Sequence, residues 1–207
     1  MIAIADYRIG NLGSVAKGFR HAGAEVVLTG DPQALRAADA IVLPGDGAFA
    51  ATMKELTARG LVPVLREAVA EGKPLLGICI GMQLLFEESE EHGRHRGLGF
   101  LPGRVRRFDD GLPVPHMGWN RLRATQAHPF LEGHADGAHV YFVHSYYCDA
   151  PASVILATSD YGRDFAAVVG QGSVLGVQFH PEKSQAVGLR LLRNFVRMLE
   201  PKARRTA

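Results

Sequence analysis

The chain has 207 residues, of which 47% are hydrophobic and 21% charged, which suffices for one large domain with a substantial core. The formal net charge of +2 is too small to indicate a nucleic-acid-binding surface. No apolar run approaches the ~20 residues that a membrane-spanning helix needs. The chain has only two cysteines and no basic segment of the kind that opens an export signal, so we expect a cytoplasmic protein.

The first part of the chain alternates apolar strands with helical segments. Strands are predicted at 2–6, 25–29 and 40–44, and helices at 11–23, 33–39, 48–58 and 61–71. Continuous apolar strands separated by helices are typical of a parallel sheet that is covered on both faces. We therefore predict an α/β fold with a mostly parallel central sheet flanked by helices. Ligands bind beyond the carboxyl ends of such strands, where the loop 44-PGDGAF-49 lies.

The segment 74-PLLGICIGMQLLFEES-89 carries the first candidate catalytic residue, Cys79. Apolar residues before it predict a buried strand, and Met82 to Phe86 after it predict a helix with an apolar face. A nucleophile at a sharp strand-to-helix turn needs glycines on both sides, and here they are Gly77 and Gly81. A thiol at a helix N-terminus is favoured as thiolate, and the N–H of Ile80 points toward a developing oxyanion. Cys148 has no such setting and is interpreted as a packed thiol.

After Ser89 the sequence is rich in Gly, Pro and charge, and the predicted elements become short strands. We expect strands near 103–108, 139–147, 153–158, 165–170 and 173–179, and a smaller mixed or antiparallel sheet in the C-terminal half. Helix 184–200 closes the fold, so that residues 1–201 form one domain and 202–207 a frayed basic tail.

A second candidate catalytic element is 176-GVQFHPEKS-184, where an apolar strand runs into His180 and Glu182. Residues two apart on an extended chain project to the same side, and the proline between them favours extended geometry. Glu182 can therefore hold the imidazole while His180 faces the thiol, as in a Cys–His–Glu triad. No Cys/His spacing indicates a zinc site, and we expect neither metal nor cofactor.

Together, 77-GICIGMQ-83 and 180-HPE-182 resemble the class I (triad) glutamine amidotransferases over essentially the whole chain. The resemblance implies a flavodoxin-like fold and hydrolysis of glutamine to glutamate and ammonia through a thioester on Cys79. It also implies an oxyanion hole formed by Ile80 and the loop residues Gly45, Asp46 and Gly47. Substrate contacts are expected from Gln83, Glu87, Ser145 and Tyr146.

More specific pieces resemble one branch of that family, which supplies ammonia to a separate (β/α)8-barrel cyclase subunit in histidine biosynthesis. They are 5-ADYRIGNLGSV-15, 44-PGDGAF-49, 81-GMQLLFEES-89, 115-PHMGWN-120, 141-YFVHSYY-147 and 180-HPEKSQ-185. The branch implies a heterodimer with ammonia channelling, with no nucleic acid or membrane involved. Its interface is expected to include Tyr7, Asn11, Met117, Trp119, Asn120 and Lys183.

Two departures and two alternatives stand beside this interpretation. Members of the family usually carry Gly where this chain has Arg8, and an apolar residue where it has Asp46. One alternative is a glutaminase of another branch, serving pyridoxal phosphate, anthranilate or guanylate synthesis. The other is a non-catalytic binding protein on the same scaffold, which leaves His180 and Glu182 unexplained.

Overall fold

The computed structural model describes residues 1–109, 111–134 and 136–200. The predicted basic tail, 202–207, and residue 201 of the predicted domain lie outside the described residues. The helices are α1 (Leu12–His21), α2 (Pro32–Ala37), α3 (Phe49–Ala58), α4 (Leu61–Ala70), α5 (Ile80–Gln83) and α6 (Gln185–Met198), with 3-10 turns at Pro129–Leu131, Ala152–Val154 and Pro181–Lys183. The strands are β1 (Ile2–Ala5), β2 (Val26–Thr29), β3 (Ala40–Leu43), β4 (Leu75–Ile78), β5 (Glu88–Ser89), β6 (His95–Arg96), β7 (Arg104–Arg107), β8 (His116–Ala124), β9 (Ala138–His144), β10 (Tyr146–Asp149), β11 (Ile155–Asp160), β12 (Asp164–Gln171) and β13 (Val174–Val177).

Within these residues the strands form two sheets. The central sheet has nine strands in the order β2-β1-β3-β4-β13-β12-β11-β8-β9. Its first five strands are parallel, and from β13 onward neighbouring strands are antiparallel. The second sheet, β10-β7-β5-β6, is mixed. The predicted α/β fold with a second, smaller sheet is therefore confirmed, although the central sheet is divided evenly between parallel and antiparallel pairs.

The two faces of the central sheet are covered by different helices. On β1 the side chains of Ile2 and Ile4 enter the same apolar cluster as Phe19 of α1 and Phe195 of α6. Their neighbours on the strand enter the opposite cluster, together with apolar residues of α2, α3 and α4. This two-sided burial follows from the alternation of side chains along a strand and explains why these strands are apolar throughout. Among the described helices, none is long and apolar enough to cross a membrane.

Two elements differ from the sequence-based expectation. Strand β8, nine residues long, was not predicted, because Gly118 and the surrounding Gly- and Pro-rich sequence indicate a loop. It nevertheless alternates, with His116 and Leu122 buried while Met117 and Trp119 are exposed. Helix α5 is shorter than expected and ends at Gln83, after which the apolar residues to Phe86 stay buried in turns.

Candidate active site

Cys79 lies at the turn between β4 and α5 in a backbone conformation that few non-glycine residues adopt. Its φ is 55° and its ψ is −112°, which is the strained geometry of a nucleophile elbow. The flanking glycines are required by close approach of the backbone. A Cβ on Gly77 would lie 2.4 Å from the carbonyl oxygen of Gly81, and a Cβ on Gly81 would lie 1.9 Å from that of Leu43. The predicted elbow is therefore present in the structure.

His180 reaches the thiol because β13 pairs with β4. The two strands are parallel, with Ile78 opposite Val177, so the residues that follow each strand meet at the same edge. The Nδ1 of His180 donates to Oε1 of Glu182 at 2.8 Å, and the Glu182 side chain is only 1% exposed. The structure thus brings together the three residues predicted to form the triad.

The charge on the imidazole of His180 is stabilised by its two neighbours. Burial alone lowers the pKa of His180, but the side chains of Cys79 and Glu182 outweigh burial and raise it above its usual range. The Nε2 of His180 is buried and makes no hydrogen bond of standard geometry within the described residues, although the thiol is near enough to affect the pKa. This nitrogen therefore remains available to exchange a proton with the thiol or with a substrate.

The thiol is surrounded by amide groups. The Sγ of Cys79 lies 3.9 Å from the carbonyl oxygen of Val143 and 3.9 Å from Nε2 of Gln178, which donates to it. Gln83 in turn donates from Nε2 to Oε1 of Gln178 at 3.1 Å and to the carbonyl of Tyr146 at 3.2 Å. The Oε1 of Gln83 is buried and has no hydrogen-bond partner among the described residues. A buried amide oxygen without a partner is costly, so it is suited to accept a hydrogen bond from a ligand.

A cavity of about 240 Å³ opens beside Cys79. Seven residues predicted to bind substrate or oxyanion, or to be catalytic, line it together with four further residues. The first group is Asp46, Gly47, Cys79, Ile80, Gln83 and the Ser145–Tyr146 pair; the others are Glu91, Pro115, Val143 and His144. His144 was not among the predicted site residues, and its place directly before Ser145 in the segment 141-YFVHSYY-147 is the one sequence feature that points to it. Nothing in the spacing of Glu91 indicates a site.

The predicted oxyanion loop lies against the start of α5. A side chain on Gly45 would collide with Ile80, since its Cβ would lie 2.7 Å from that of Ile80. Asp46 is exposed and accepts a hydrogen bond at Oδ1 from the N–H of Gly47, at 3.0 Å. The N–H of Gly47 is therefore occupied in this structure. The N–H of Ile80 is in the first turn of a helix, where an N–H has no partner within the helix.

Glu87 and Tyr7 lie where their predicted roles do not fit. Glu87 is exposed and accepts the N–H of Gly103 at 3.0 Å, in a cleft of the smaller sheet rather than in the cavity. Instead, the carboxylate of Glu91 lies at the cavity, where it accepts the N–H of Phe49. Tyr7 is 0% exposed, so its side chain offers no surface to a partner. The family resemblance suggested Glu87, but α5 ends at Gln83 and Glu87 does not line the cavity.

The other predicted interface residues fall into two groups. Met117 and Trp119 are 63% and 46% exposed on one face of β8. The Trp119 ring lies 6.0 Å from that of Tyr141, and Nζ of Lys183 lies 5.9 Å from the same Tyr141 ring. We call these four residues the β8 patch. The two asparagines act locally: Oδ1 of Asn11 accepts the N–H of Ser14 at the start of α1, and Asn120 bonds within the sheet.

Arg8 occupies a position that favours glycine. Its φ is 65°, in the left-handed region, which glycine adopts more readily than residues with a side chain. The N–H of Arg8 donates to Oδ1 of Asp6 at 2.9 Å, so a local turn holds this conformation.

Comparison with known proteins agrees with this geometry. The family "Glutamine amidotransferase class-I" matches residues 3–199. The chain is 52% identical over 197 residues to "Imidazole glycerol phosphate synthase subunit HisH" of Streptococcus gordonii, covering 94% of this chain and 95% of that protein. It is 53% identical over 203 residues to the protein of the same name from Geobacillus kaustophilus, covering 95% and 96%.

Solved structures share the fold. "Crystal structure of glutamine amidotransferase" superposes with a TM-score of 0.76 at 24% identity, covering 96% of this chain and 98% of that one. On the evidence of the family match and of relatives that are about half identical over nearly their whole length, the chain belongs to the class-I glutamine amidotransferase family.

Proposed function

We propose that this chain is the glutaminase subunit of imidazole glycerol phosphate synthase. It hydrolyses L-glutamine to L-glutamate and ammonia, and it delivers the ammonia to a (β/α)8-barrel cyclase subunit. The observation that carries the proposal is the elbow cysteine, which lines a cavity and has a buried His180–Glu182 pair beside it. The relatives support the expectation of a partner, since their printed name is that of one subunit of a synthase.

The reaction begins at the thiol. Sγ of Cys79 attacks the side-chain amide carbon of glutamine, and the carbonyl oxygen becomes an oxyanion that the N–H of Ile80 stabilises. His180 holds the proton of the thiol on Nε2 and donates it to the departing ammonia, which leaves a glutamyl thioester. Water then attacks the thioester, gives a proton to His180, and releases glutamate and the free thiol. Glu182 keeps the imidazole oriented and its charge stabilised throughout.

The amino-acid end of glutamine fits the polar groups that line the cavity. The free Oε1 of Gln83 accepts from an ammonium group, and the carboxylate of Glu91 adds negative charge nearby. The segment Ser145–Tyr146 also lines the cavity. A cavity of about 240 Å³ suits a substrate of amino-acid size.

The β8 patch is the proposed docking surface for the cyclase. Met117 pairs across the sheet with Val143, which lines the cavity and whose carbonyl oxygen lies 3.9 Å from the thiol, so the patch adjoins a residue of the cavity wall. Aromatic anchors such as Trp119 often dominate an interface. Ammonia then passes into the barrel, where it is used to form imidazole glycerol phosphate and an aminoimidazole carboxamide ribotide.

The test measures glutamate release from the chain alone, with the barrel, and with the barrel and its ribotide substrate. We expect very low, low and high turnover in that order, because ammonia released without an acceptor wastes glutamine. Cys79→Ala should abolish glutamate release in every arm, a loss on the order of 10⁴-fold or more. The matched control Cys148→Ala should retain most activity, since Cys148 is a buried thiol outside the cavity. Intact activity in Cys79→Ala would contradict the assignment of the nucleophile. Full turnover by the isolated chain would contradict only the coupling to the partner.

A further inference from the structure

A line of side-chain hydrogen bonds that the proposed reaction does not use leads from β8 to the wall of the cavity. Nδ1 of His116 lies 3.0 Å from Nε2 of His144, and Nδ1 of His144 lies 2.8 Å from the carbonyl oxygen of Tyr146. At the other end, Nδ2 of Asn120 lies 3.3 Å from Nε2 of His116. His116 and His144 are register partners on β8 and β9 and are only 4% and 6% exposed.

The direction of each hydrogen bond in this line is determined by its ends. The carbonyl of Tyr146 can only accept, so Nδ1 of His144 donates and the Nε2 of a neutral His144 accepts from Nδ1 of His116. The Nε2 of His116 then accepts from Asn120. The amide of Asn120 has the matching orientation, since its Oδ1 accepts the N–H of Arg121 at 2.8 Å and its Nδ2 also donates to the carbonyl of Asp160.

Both imidazoles must be neutral for this arrangement to hold. An extra proton on either ring would place two N–H groups face to face. Burial lowers the pKa of His116 to about 4 and is the main cause that lowers the pKa of His144 to about 3. The rings are also fixed by packing, because His116 is stacked on Tyr161 at 4.1 Å and on Phe142 at 5.0 Å between ring centroids.

The acceptor at the end of the line belongs to the substrate cavity. The carbonyl of Tyr146 accepts hydrogen bonds from Nδ1 of His144 and from Nε2 of Gln83. The same Nε2 of Gln83 also donates to Oε1 of Gln178, and Nε2 of Gln178 donates to the thiol of Cys79. We propose that His116 and His144 are positioning residues of the glutaminase, which hold the Tyr146 carbonyl and thereby aim the amide of Gln83 at glutamine. This inference rests on the proposed function, although the hydrogen-bond directions on which it depends can be tested without any activity.

The first measurement determines the tautomers. Long-range ¹H–¹⁵N spectra of the ¹⁵N-labelled chain at pH 7 distinguish a proton on Nδ1 from one on Nε2, and His116→Asn and His144→Asn assign the signals. We expect both histidines to be neutral with the proton on Nδ1, the less common form in water. A proton on Nε2, or a charged ring, at either residue would contradict the proposed line of hydrogen bonds, independently of the measured glutaminase activity.

The second measurement compares two substitutions of one residue in the complex with the barrel. In His144→Asn the side-chain amide reaches the position of Nδ1 and can still donate to Tyr146. In His144→Gln the amide reaches the position of Nε2 and leaves that carbonyl without the donor. We expect His144→Gln to raise KM for glutamine on the order of tenfold, with a much smaller change in kcat, whereas His144→Asn stays within about threefold.

The matched control is His139→Gln, on an exposed position of the same strand, which should behave as the unmodified chain. Equal effects of His144→Asn and His144→Gln, or a loss confined to kcat, overturn the positioning role. If the unmodified complex forms no glutamate, the proposed function fails. The tautomer spectra still decide whether the line of hydrogen bonds from Asn120 to Tyr146 exists.

Discussion

At the scale of single residues, the His180–Glu182 pair holds a charge in a buried place. The hydrogen bond of 2.8 Å and the 1% exposure of the carboxylate mean that neither partner is solvated by bulk water. A buried pair of this kind is costly to break on one side, because the remaining group loses its compensation. Orientation of the base and the stability of the fold are therefore linked at this position.

His180→Asn should lower kcat for glutamate formation far more than Glu182→Gln. The asparagine removes the base, while the glutamine removes only the charge that orients it and can still accept from Nδ1. Steady-state kinetics in the barrel complex measure both, and the thermal midpoints of the variants control for loss of fold. A larger loss of kcat in Glu182→Gln would mean that the two roles are assigned wrongly.

Asp46→Val should change partner-stimulated glutaminase activity by less than about tenfold, roughly 1.4 kcal/mol. Asp46 is exposed, and its carboxylate contacts the neighbouring N–H of Gly47 rather than the thiol. The substitution frees that N–H and removes a negative charge from the side of the cavity where an oxyanion forms. Glutamate release in the complex is the measurement, and a thousandfold loss would contradict it by making the side chain itself catalytic.

At the scale of elements, the turn between β4 and α5 depends on one close backbone contact. Gly81→Ala should destabilise the fold by several kcal/mol, since its Cβ would lie 1.9 Å from the carbonyl oxygen of Leu43 and the buried backbone cannot give way cheaply. The matched control is Gly13→Ala in α1, where a Cβ meets nothing within 4 Å. That substitution should stabilise by about 0.5–1 kcal/mol. Urea unfolding of both variants is the measurement, and equal stability of the two would contradict the close contact.

The elements that the sequence predicts well are those with a single dominant signal. The buried strands β1, β3 and β4 are apolar throughout, and the glycines around Cys79 predict its turn, so these elements appear within a residue or two of their predicted bounds. Strand β8 lacks such a signal, since its pairing with β9 and β11 is decided by contacts far along the chain.

The residues of the cavity also divide into those that a local motif predicts and those that distant contacts bring in. Cys79 and Gln83 follow from a local motif, whereas Glu91 and His144 enter because two sheets bring separate segments together. Glu87 is a predicted substrate residue that the structure places outside the cavity. It lies one helical turn beyond Gln83, and a continuing helix would have kept both on one face, but α5 ends at Gln83. No local feature of the sequence signals that early end.

At the scale of the whole molecule, buried neutral histidines make the free energy of unfolding depend on pH. An unfolded chain takes up protons on its histidines below pH ~6.5. In the fold, His116 and His144 remain neutral down to pKa values of about 4 and 3. The unfolded state therefore binds more protons over this interval, and the stability falls as the pH falls.

We expect the free energy of unfolding to decline from pH 6.5 to pH 5 by at most ~1.4 kcal/mol per pH unit for each of these two histidines. The raised pKa of His180 has the opposite sign, but its contribution is already complete below pH ~6.5 and does not offset the decline. Urea unfolding at several pH values measures the slope. The double variant with asparagine at both positions is the control and should give a flatter profile; a constant stability across this interval would contradict the neutral pair.

The pairing of β4 with β13 also determines when the protein becomes an enzyme. Cys79 follows a strand of the first half of the chain, whereas His180, its proposed base, follows β13, the last of the described strands, which joins the sheet between β4 and the antiparallel half. A chain emerging from the ribosome therefore carries the nucleophile long before it carries the base. Contacts between such distant segments form late, since the entropy of closing the loop opposes them. We therefore expect the growing chain not to consume glutamine. In a refolding experiment, activity should return only when β13 has joined the sheet, after most of the helical signal has recovered.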